Sequence, residues 1–173
     1  MPNWCSNNIT IKGSTETIKQ LWEDAQTAGP DGGFGLLEAM APIGEWDYGN
    51  AVETWGTKWD ISDEGLEFTD NGDGTASIDG WFDSAWAPPI GAYERFCDDM
   101  DGVYLEAYYE EGGMCFVGYW DSEGADDNYD YSGATSEDVR NMVPEYLVDY
   151  YALDERLADY EAEEMEEEFL EEE

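Results

Sequence analysis

Histidine is absent from this 173-residue chain, and basic side chains are scarce. Six Lys plus Arg stand against 44 Asp plus Glu, which gives a formal net charge of -38 at pH 7. Without histidine the chain lacks the commonest general base and metal ligand of proteins. A surface this negative also repels phosphates and anionic lipid headgroups, so we expect no direct binding to nucleic acid or to membranes.

Cysteine is almost as scarce. Cys5, Cys97 and Cys115 are an odd, widely spaced set without a C-x-x-C motif, a pattern that excludes a disulfide framework and a zinc site. We expect reduced, buried thiols. The sequence also has no basic leader followed by an apolar run, and no stretch near the ~18 apolar residues that a membrane span needs. These features predict a cytoplasmic protein.

Aromatic residues are plentiful, at 15% of the chain, and 42% of all residues are hydrophobic. A chain of this size can bury about 70% of its unfolded surface in one core. The charge, in contrast, is graded along the chain: residues 1–60 hold nine acids and three bases, 61–120 fourteen and one, and 121–173 twenty-one and two. This asymmetry predicts a folded core followed by an acidic appendage.

Local patterns predict the elements of the core. Residues 8–12 alternate polar and apolar side chains as a strand does, and Ser14 is placed to cap a helix that extends to Gly29. Residues 30–60 are Gly-rich and predict a long irregular excursion, with a short apolar piece at 34–41. Two hairpins follow, at 66–82 and 103–119, separated by a helix that begins at Pro88-Pro89.

The order strand, helix, hairpin, helix, hairpin predicts an α+β fold. We expect a ferredoxin-like antiparallel sheet with one added strand and with helices on one face, over residues 1–124. An acidic loop and an amphipathic C-terminal helix should occupy residues 125–160, with irregular chain up to about Gly133. Residues 161–173 should form a solvated acidic tail, helical at most in part.

One apolar stripe stands out in the C-terminal region. Its members recur at steps of four, three, four and three residues, as on one face of a helix. Such a stripe can lie on the sheet or on a second copy of the chain, which would make a homodimer. The stripe consists of Tyr146, Tyr150, Leu153, Leu157 and Tyr160.

Four segments resemble the YubB ferredoxin-like family of phage and plasmid proteins. They span residues 2–120 and are Pro2-Asn3-Trp4-Cys5-Ser6-Asn7, residues 53–60 (ETWGTKWD), residues 82–89 (FDSAWAPP) and residues 109–118 (YEEGGMCFVG). The resemblance implies a ferredoxin-like fold and a phage or mobile-element origin, and it implies no catalytic residues.

The charge itself suggests a function. Duplex DNA carries about one charge per 1.7 Å, so 38 charges correspond to roughly 65 Å of duplex. A compact chain of this length is only about 40 Å across. We therefore expect a DNA mimic that occupies the basic DNA-binding surface of a host defence factor, such as a restriction enzyme or CRISPR effector. Candidate partner-binding carboxylates are Asp63, Glu64, Asp98, Asp99, Asp101, Asp126, Asp127, Asp130, Glu161, Glu163, Glu164, Glu166, Glu167 and Glu168.

Other interpretations stay open. Adaptation to high salt also enriches acids, and acidic tails often serve solubility alone, as in a structural or assembly module of a phage or plasmid protein. Four tryptophans, Trp55, Trp59, Trp81 and Trp86, either pack in the core or line a groove that stacks a sugar or a base. Lys58 between the first two predicts a local ion pair or a cation–π contact.

Catalysis finds little support in the sequence. No imidazole can activate the thiols, and no phosphate-binding Gly-rich loop is present. Two carboxylates can hydrolyse glycosides, but with 44 acids some pair meets the required spacing by chance. Residues 70–74 (DNGDG) place glycine where a calcium loop needs oxygen ligands. We expect no enzyme activity, no metal and no cofactor.

Overall fold

The computed structural model describes residues 2–171. Six strands are present: β1 Trp4–Ser14, β2 Leu66–Asp70, β3 Thr75–Ala85, β4 Tyr104–Glu111, β5 Phe116–Asp121 and β6 Asp126–Asp130. Seven α-helices accompany them: α1 Thr15–Ala28, α2 Leu36–Met40, α3 Tyr48–Trp55, α4 Ile90–Asp99, α5 Val139–Met142, α6 Glu145–Tyr151 and α7 Leu153–Glu171.

All six strands form one antiparallel sheet in the order β2-β3-β1-β4-β5-β6. The predicted α+β class is confirmed, as are both hairpins and the helix between them. The Ser14 hydroxyl accepts a hydrogen bond from the Thr17 amide at 3.2 Å, so the predicted cap of α1 is also confirmed. No helix within residues 2–171 combines the length and apolar character needed to cross a bilayer.

Helices pack on both faces of the sheet: those of residues 1–124 lie on one face, as predicted for the core, and those of the C-terminal region lie on the other. The first four helices cover the face that carries Ile11, Ile78 and Leu105. The last three cover the opposite face of β5, where Val117 joins a second buried cluster with Leu147. Because successive strand residues point to opposite faces, β4 and β5 can bury apolar side chains on both.

Two parts of the chain differ from the sequence-based prediction. Residues 126–130 form the edge strand β6 instead of irregular chain, because Tyr129 and Tyr131 pack against the second cluster while Asp130 between them accepts a local hydrogen bond from the Ser132 amide. The Gly-rich excursion contains α3, which the Asp47 side chain caps through the Asn50 amide at 3.2 Å. Gly56, at φ 87°, ends that helix, a conformation that suits glycine.

The chain beyond residue 160 is helical as far as it is described. α7 runs to Glu171, so the expected tail is mostly a regular helix, and residues 172 and 173 lie outside the described residues. The predicted apolar stripe is split between two helices, because Ala152 adopts φ 50° and separates α6 from α7. This left-handed residue redirects the chain between them.

Candidate functional site: the acidic surface

The candidate carboxylates of the body are spread along the length of the sheet. Strand direction decides this: β1, β2 and β5 run from the end that we call the lower end towards the upper end, whereas β3, β4 and β6 run in the opposite direction. The eleven residues of β1 place these ends about 35 Å apart.

At the upper end, Asp98 and Asp99 are the last residues of α4, Asp101 lies between α4 and β4, and all three are exposed. Asp126 is exposed at the start of β6, where the register sets it level with Ile9 in the middle of β1. At the lower end, Asp63 and Glu64 are exposed just before β2, and Asp130 is exposed at the end of β6. The structure therefore does not bring the predicted body residues into one group.

Asp127 has a structural contact instead of a free surface. Its Oδ2 accepts a hydrogen bond of 2.6 Å from the Tyr146 hydroxyl, so it ties β6 to α6. Burial and this bond raise the pKa of Tyr146 well above the ordinary value of tyrosine. Of the eight body carboxylates proposed from sequence, Asp127 is the one that the structure uses to hold two elements together.

The densest group of carboxylates lies on the second half of α7. Residues 159–171 carry eight acids and no basic residue, and each residue from 162 to 171 is exposed. Thirteen helical residues span about 20 Å, so this segment presents one charge per about 2.5 Å of axis. We call residues 159–171 the acidic rod. It contains Glu161, Glu163, Glu164, Glu166, Glu167 and Glu168 of the predicted site.

Glu161 within the rod and Arg156 just before it contact the body. Glu161 accepts hydrogen bonds from the amide and hydroxyl of Ser136 at 2.8 and 2.7 Å, and these bonds lower the pKa of Glu161. Arg156 Nη1 lies 3.3 Å from Oε2 of the buried Glu110 on β4. The Tyr131 hydroxyl donates to the other oxygen of Glu110 at 2.6 Å. The rod therefore projects from a fixed base near the lower end of the sheet.

Most of the predicted apolar stripe packs within the chain. Tyr150 stacks on Tyr108 of β4, with ring centroids 3.9 Å apart, and Tyr146 lies edge-on to Tyr119. Leu153 is buried in the second cluster, and Leu157 packs against it. Tyr160, in contrast, remains 59% exposed. The sequence pattern left two surfaces open for this stripe, the sheet or a second copy of the chain. Four of its five residues pack on the sheet side of the same chain.

A second apolar stripe runs along the outer side of α7. Ala158, Ala162, Met165 and Phe169 recur at steps of four, three and four residues and are all exposed. Met165 is 58% and Phe169 73% exposed. The stripe was not predicted from the sequence because its glutamate neighbours dominate the segment, although the spacing of its four residues is typical of a helix face.

Further carboxylates, not predicted from the sequence, lie on the uncovered face of β2 and β3. Glu67 and Asp79 are directly opposite each other on that face, and Asp83 and the half-exposed Trp81 extend the same row. Like charges opposite each other in a sheet are destabilising. The alternation of Ser77, Asp79, Trp81 and Asp83 was the signal that could have found them.

The four tryptophans considered from sequence do not meet in one groove. Trp55 and Trp59 line a cleft of about 680 Å³, and Trp81 lines a smaller one with Trp4. Trp86 is 46% exposed at φ 72°, after the end of β3. The Lys58 ammonium lies 4.4 Å from the centroid of the Trp59 ring, so the predicted cation–π contact is confirmed.

Asp60 is a carboxylate with strong internal contacts at the cleft. It accepts hydrogen bonds from the amides of Leu37, Glu38 and Ile61 at 2.9, 3.0 and 2.8 Å. Burial nevertheless raises the pKa of Asp60 above its ordinary value, and the nearby Glu38 charge adds to the increase. Asp60 thus holds the start of α2 in place, although burial makes its carboxyl group harder to ionise.

This raised pKa predicts a specific dependence of stability on pH. The folded state binds the Asp60 proton more readily than the unfolded state, so Asp60 contributes most below about pH 3.9 and loses that contribution as pH rises through the folded pKa. In urea unfolding between pH 7 and 4, the free energy of unfolding of the wild type should therefore rise relative to that of Asp60→Asn. Asp63→Asn, which changes an exposed carboxylate of the same loop, is the control for general charge repulsion. An equal pH dependence of wild type and Asp60→Asn would contradict the assignment.

The three thiols are free, as the sequence predicted. Cys5 is buried, and the other two are partly buried. Burial raises the pKa of Cys97 to about 11, so that side chain is a neutral thiol at physiological pH. Within residues 2–171, no group of three or more Cys, Asp or Glu side chains is arranged to hold a metal ion.

Comparison with known proteins adds no relative to this geometry. No protein-family model, curated protein or solved structure matches the chain.

Proposed function

We propose that this protein is a DNA mimic of phage or mobile-element origin that inhibits a host DNA-binding defence factor. The partner is a basic protein, such as a restriction enzyme or a CRISPR effector, whose DNA-binding surface the carboxylates occupy in the cytoplasm of the host. The protein acts as a competitor and has no catalytic step. The acidic rod on α7 is the observation that carries this proposal.

The rod has the charge density of a nucleic acid. One strand of DNA presents a charge per 3.4 Å of axis and the duplex one per 1.7 Å. The rod, at one per about 2.5 Å, falls between these values. A groove of lysine and arginine that holds a phosphate backbone therefore meets a comparable line of charge on the rod.

The carboxylates are also ordered before any partner binds. Association is weakened by the entropy lost when mobile groups become fixed. The contacts of Glu161 with Ser136 and of Arg156 with Glu110 hold the base of the rod, and the helix holds the rest. A floppy acidic tail would lose more entropy on binding than this helix does.

The remaining carboxylates extend the acidic surface. Asp63, Glu64 and Asp130 lie at the same lower end of the sheet as the base of the rod, and Glu67 and Asp79 face each other on the open face. The like charges of Glu67 and Asp79 lower the stability of the fold, and their retention is consistent with a surface selected for negative charge.

The fold supports the family context. We propose a ferredoxin-like core, because β4-β1-β3-β2 alternate in direction and are connected in the order strand, helix, two strands, helix, strand. β5 and β6 are then additions at the β4 edge. Membership of the YubB family, suggested by the four segments within residues 2–120, is part of the same proposal.

A structural or assembly module is the second candidate. The exposed stripe of Ala158, Ala162, Met165 and Phe169 favours it, because such a face is typical of a helix that packs on another helix. Most of the first stripe is packed on the sheet, so this second stripe is the better surface for a homodimer. Sedimentation velocity of the wild type and of Met165→Glu/Phe169→Glu separates the candidates, because a dimer through this stripe would dissociate in the double variant.

Competition with DNA tests the leading proposal. Purified restriction enzymes and CRISPR effectors are mixed with a fluorescent duplex, and its displacement by this protein is followed by anisotropy. We expect competitive displacement from at least one target, with affinity falling at least about tenfold between 50 and 200 mM salt, because the contacts are ionic. Binding that is independent of salt, or a ternary complex with DNA still bound, would contradict mimicry.

A further inference from the structure

A cleft lies between the end of α1, the loop after α2 and the segment that leads to β2. Its volume, about 680 Å³, is within the usual range of small-ligand sites. It is distant in the sequence from the acidic rod and contains none of the residues proposed to bind the basic partner. Its lining combines aromatic rings with carboxylates and includes none of the six basic residues of the chain.

The aromatic walls are held in place by their own polar atoms. The Trp55 indole N–H donates to the Ala41 carbonyl at 2.8 Å, and the Trp46 indole N–H donates to the Lys58 carbonyl at 2.9 Å. Trp55 is 3% exposed, whereas Trp46 stays 48% exposed although its hydrogen bond fixes it. Trp59 and Phe34 complete the aromatic part of the wall.

Three carboxylates of the cleft have no cationic partner among residues 2–171. Glu38 accepts hydrogen bonds from the amides of Ile43 and Gly44 at 2.9 and 3.0 Å, and Asp60 accepts three amide bonds. Glu45 is exposed at the rim. The ion pairs of the described chain involve other acids. The cleft therefore has fixed negative charge beside apolar rings.

Aromatic faces attract cations, and this wall already does so within the chain. The Lys58 ammonium lies 4.4 Å from the centroid of Trp59. A cation that enters the cleft would meet ring faces and carboxylates together, and its apolar stem would contact Ile43 and Ile61. Such combinations of rings and carboxylates recognise ammonium groups on organic molecules.

From these observations we infer that the cleft binds a small organic cation, an alkylammonium or guanidinium group on an apolar stem. The inference goes beyond the proposed competition with DNA and does not depend on it. Such a cation reaches the cleft either as a free small molecule or as an arginine side chain of a protein, and the shared chemistry is the charge next to an apolar stem.

Two pairs of probes isolate the charge from the shape. Choline is compared with 3,3-dimethylbutan-1-ol, which replaces its nitrogen by carbon. N-acetylarginine amide is compared with N-acetylcitrulline amide, which is neutral and of similar size. Binding is followed by the shifts of the tryptophan indole N–H signals in NMR spectra. We expect the cation of at least one pair to bind at least tenfold more tightly than its neutral counterpart, and the preferred pair distinguishes the two sources.

Variants locate the binding, which matters because a chain of charge -38 attracts any cation weakly. Trp46→Ala should weaken binding about three- to thirtyfold, and Glu45→Gln about two- to fivefold. Tyr48→Ala and Glu53→Gln change an exposed aromatic and an exposed acid outside the cleft lining and should leave the affinity unchanged.

The signals of Trp46, Trp55 and Trp59 should shift, while those of Trp81 and Trp86 stay in place. The seven indole signals that remain in Trp46→Ala report directly whether that variant keeps its fold. Equal binding of a cation and its neutral counterpart in both pairs would overturn the inference. So would full affinity in a folded Trp46→Ala protein, because the cation would then be held by the overall charge alone.

Discussion

Replacing five glutamates of the acidic rod by glutamine is expected to weaken the proposed inhibition of DNA binding about 30- to 240-fold. Each exposed ion pair contributes about two- to threefold to an affinity, and five such pairs multiply to this range. The anisotropy competition assay measures the change as a shift in the inhibitory concentration. The residues changed are Glu163, Glu164, Glu166, Glu167 and Glu168.

A matched variant separates position from total charge. It also carries five Glu→Gln substitutions and therefore has the same net charge, but its changes are scattered over exposed positions outside the rod. We expect it to lose much less than the rod variant. The residues changed in this control are Glu16, Glu53, Glu94, Glu137 and Glu145.

Unfolding of the rod does not explain the expected loss. Pairs such as Glu163 with Glu167 and Glu164 with Glu168 are one turn apart on α7, and like charges at that spacing destabilise a helix. Glutamine at these positions therefore keeps or increases the helicity measured by circular dichroism. Equal weakening by the rod variant and the scattered variant would refute the special role of the rod.

Leu147→Ala is expected to lower the free energy of unfolding by about 2 to 5 kcal/mol. Leu147 is fully buried in the second cluster, between α6 and β5, and its truncation removes apolar contacts and leaves a cavity. For a chain of this size the melting temperature should fall by about 5 to 15 °C. Calorimetry or thermal circular dichroism measures this shift.

Leu170→Ala is the matched control, with the same chemical change on a side chain that is 75% exposed. Its effect should stay within about 0.5 kcal/mol. The comparison tests whether α6 packs on the sheet, which the sequence pattern alone left open. A melting temperature that changes equally little in both variants would mean that the second cluster does not support the fold.

Local chemistry is sufficient to predict much of the central fold. The hairpin of β2 and β3 was recognisable because residues 70–74 favour a tight turn, and the structure pairs Asp70 with Ala76 across it. The start of α1 was recognisable because Ser14 bonds an amide only three residues away. In each case the signal and the structure lie within a few neighbouring residues.

Long-range contacts explain what the sequence did not predict. Residues 126–130 are mostly acidic and contain a single tyrosine, so they resemble a loop until β5 provides a pairing partner. The side of the sheet chosen by α5, α6 and α7 depends on Val117 and its neighbours being apolar on the second face. A helical periodicity indicates that one face of a helix is apolar. It does not indicate which surface of the protein covers that face.

The candidate site follows the same division. The sequence by itself determined that carboxylates dominate the surface, since a chain with 44 acids cannot bury most of them unpaired. It also determined that residues 161–171 would be largely solvated, because glutamates occupy most positions of this segment. The tertiary structure decided where these charges stand. Antiparallel strand directions place Asp63 and Asp98 towards opposite ends of the sheet, and the left-handed turn at Ala152 directs α7 away from the line of α6.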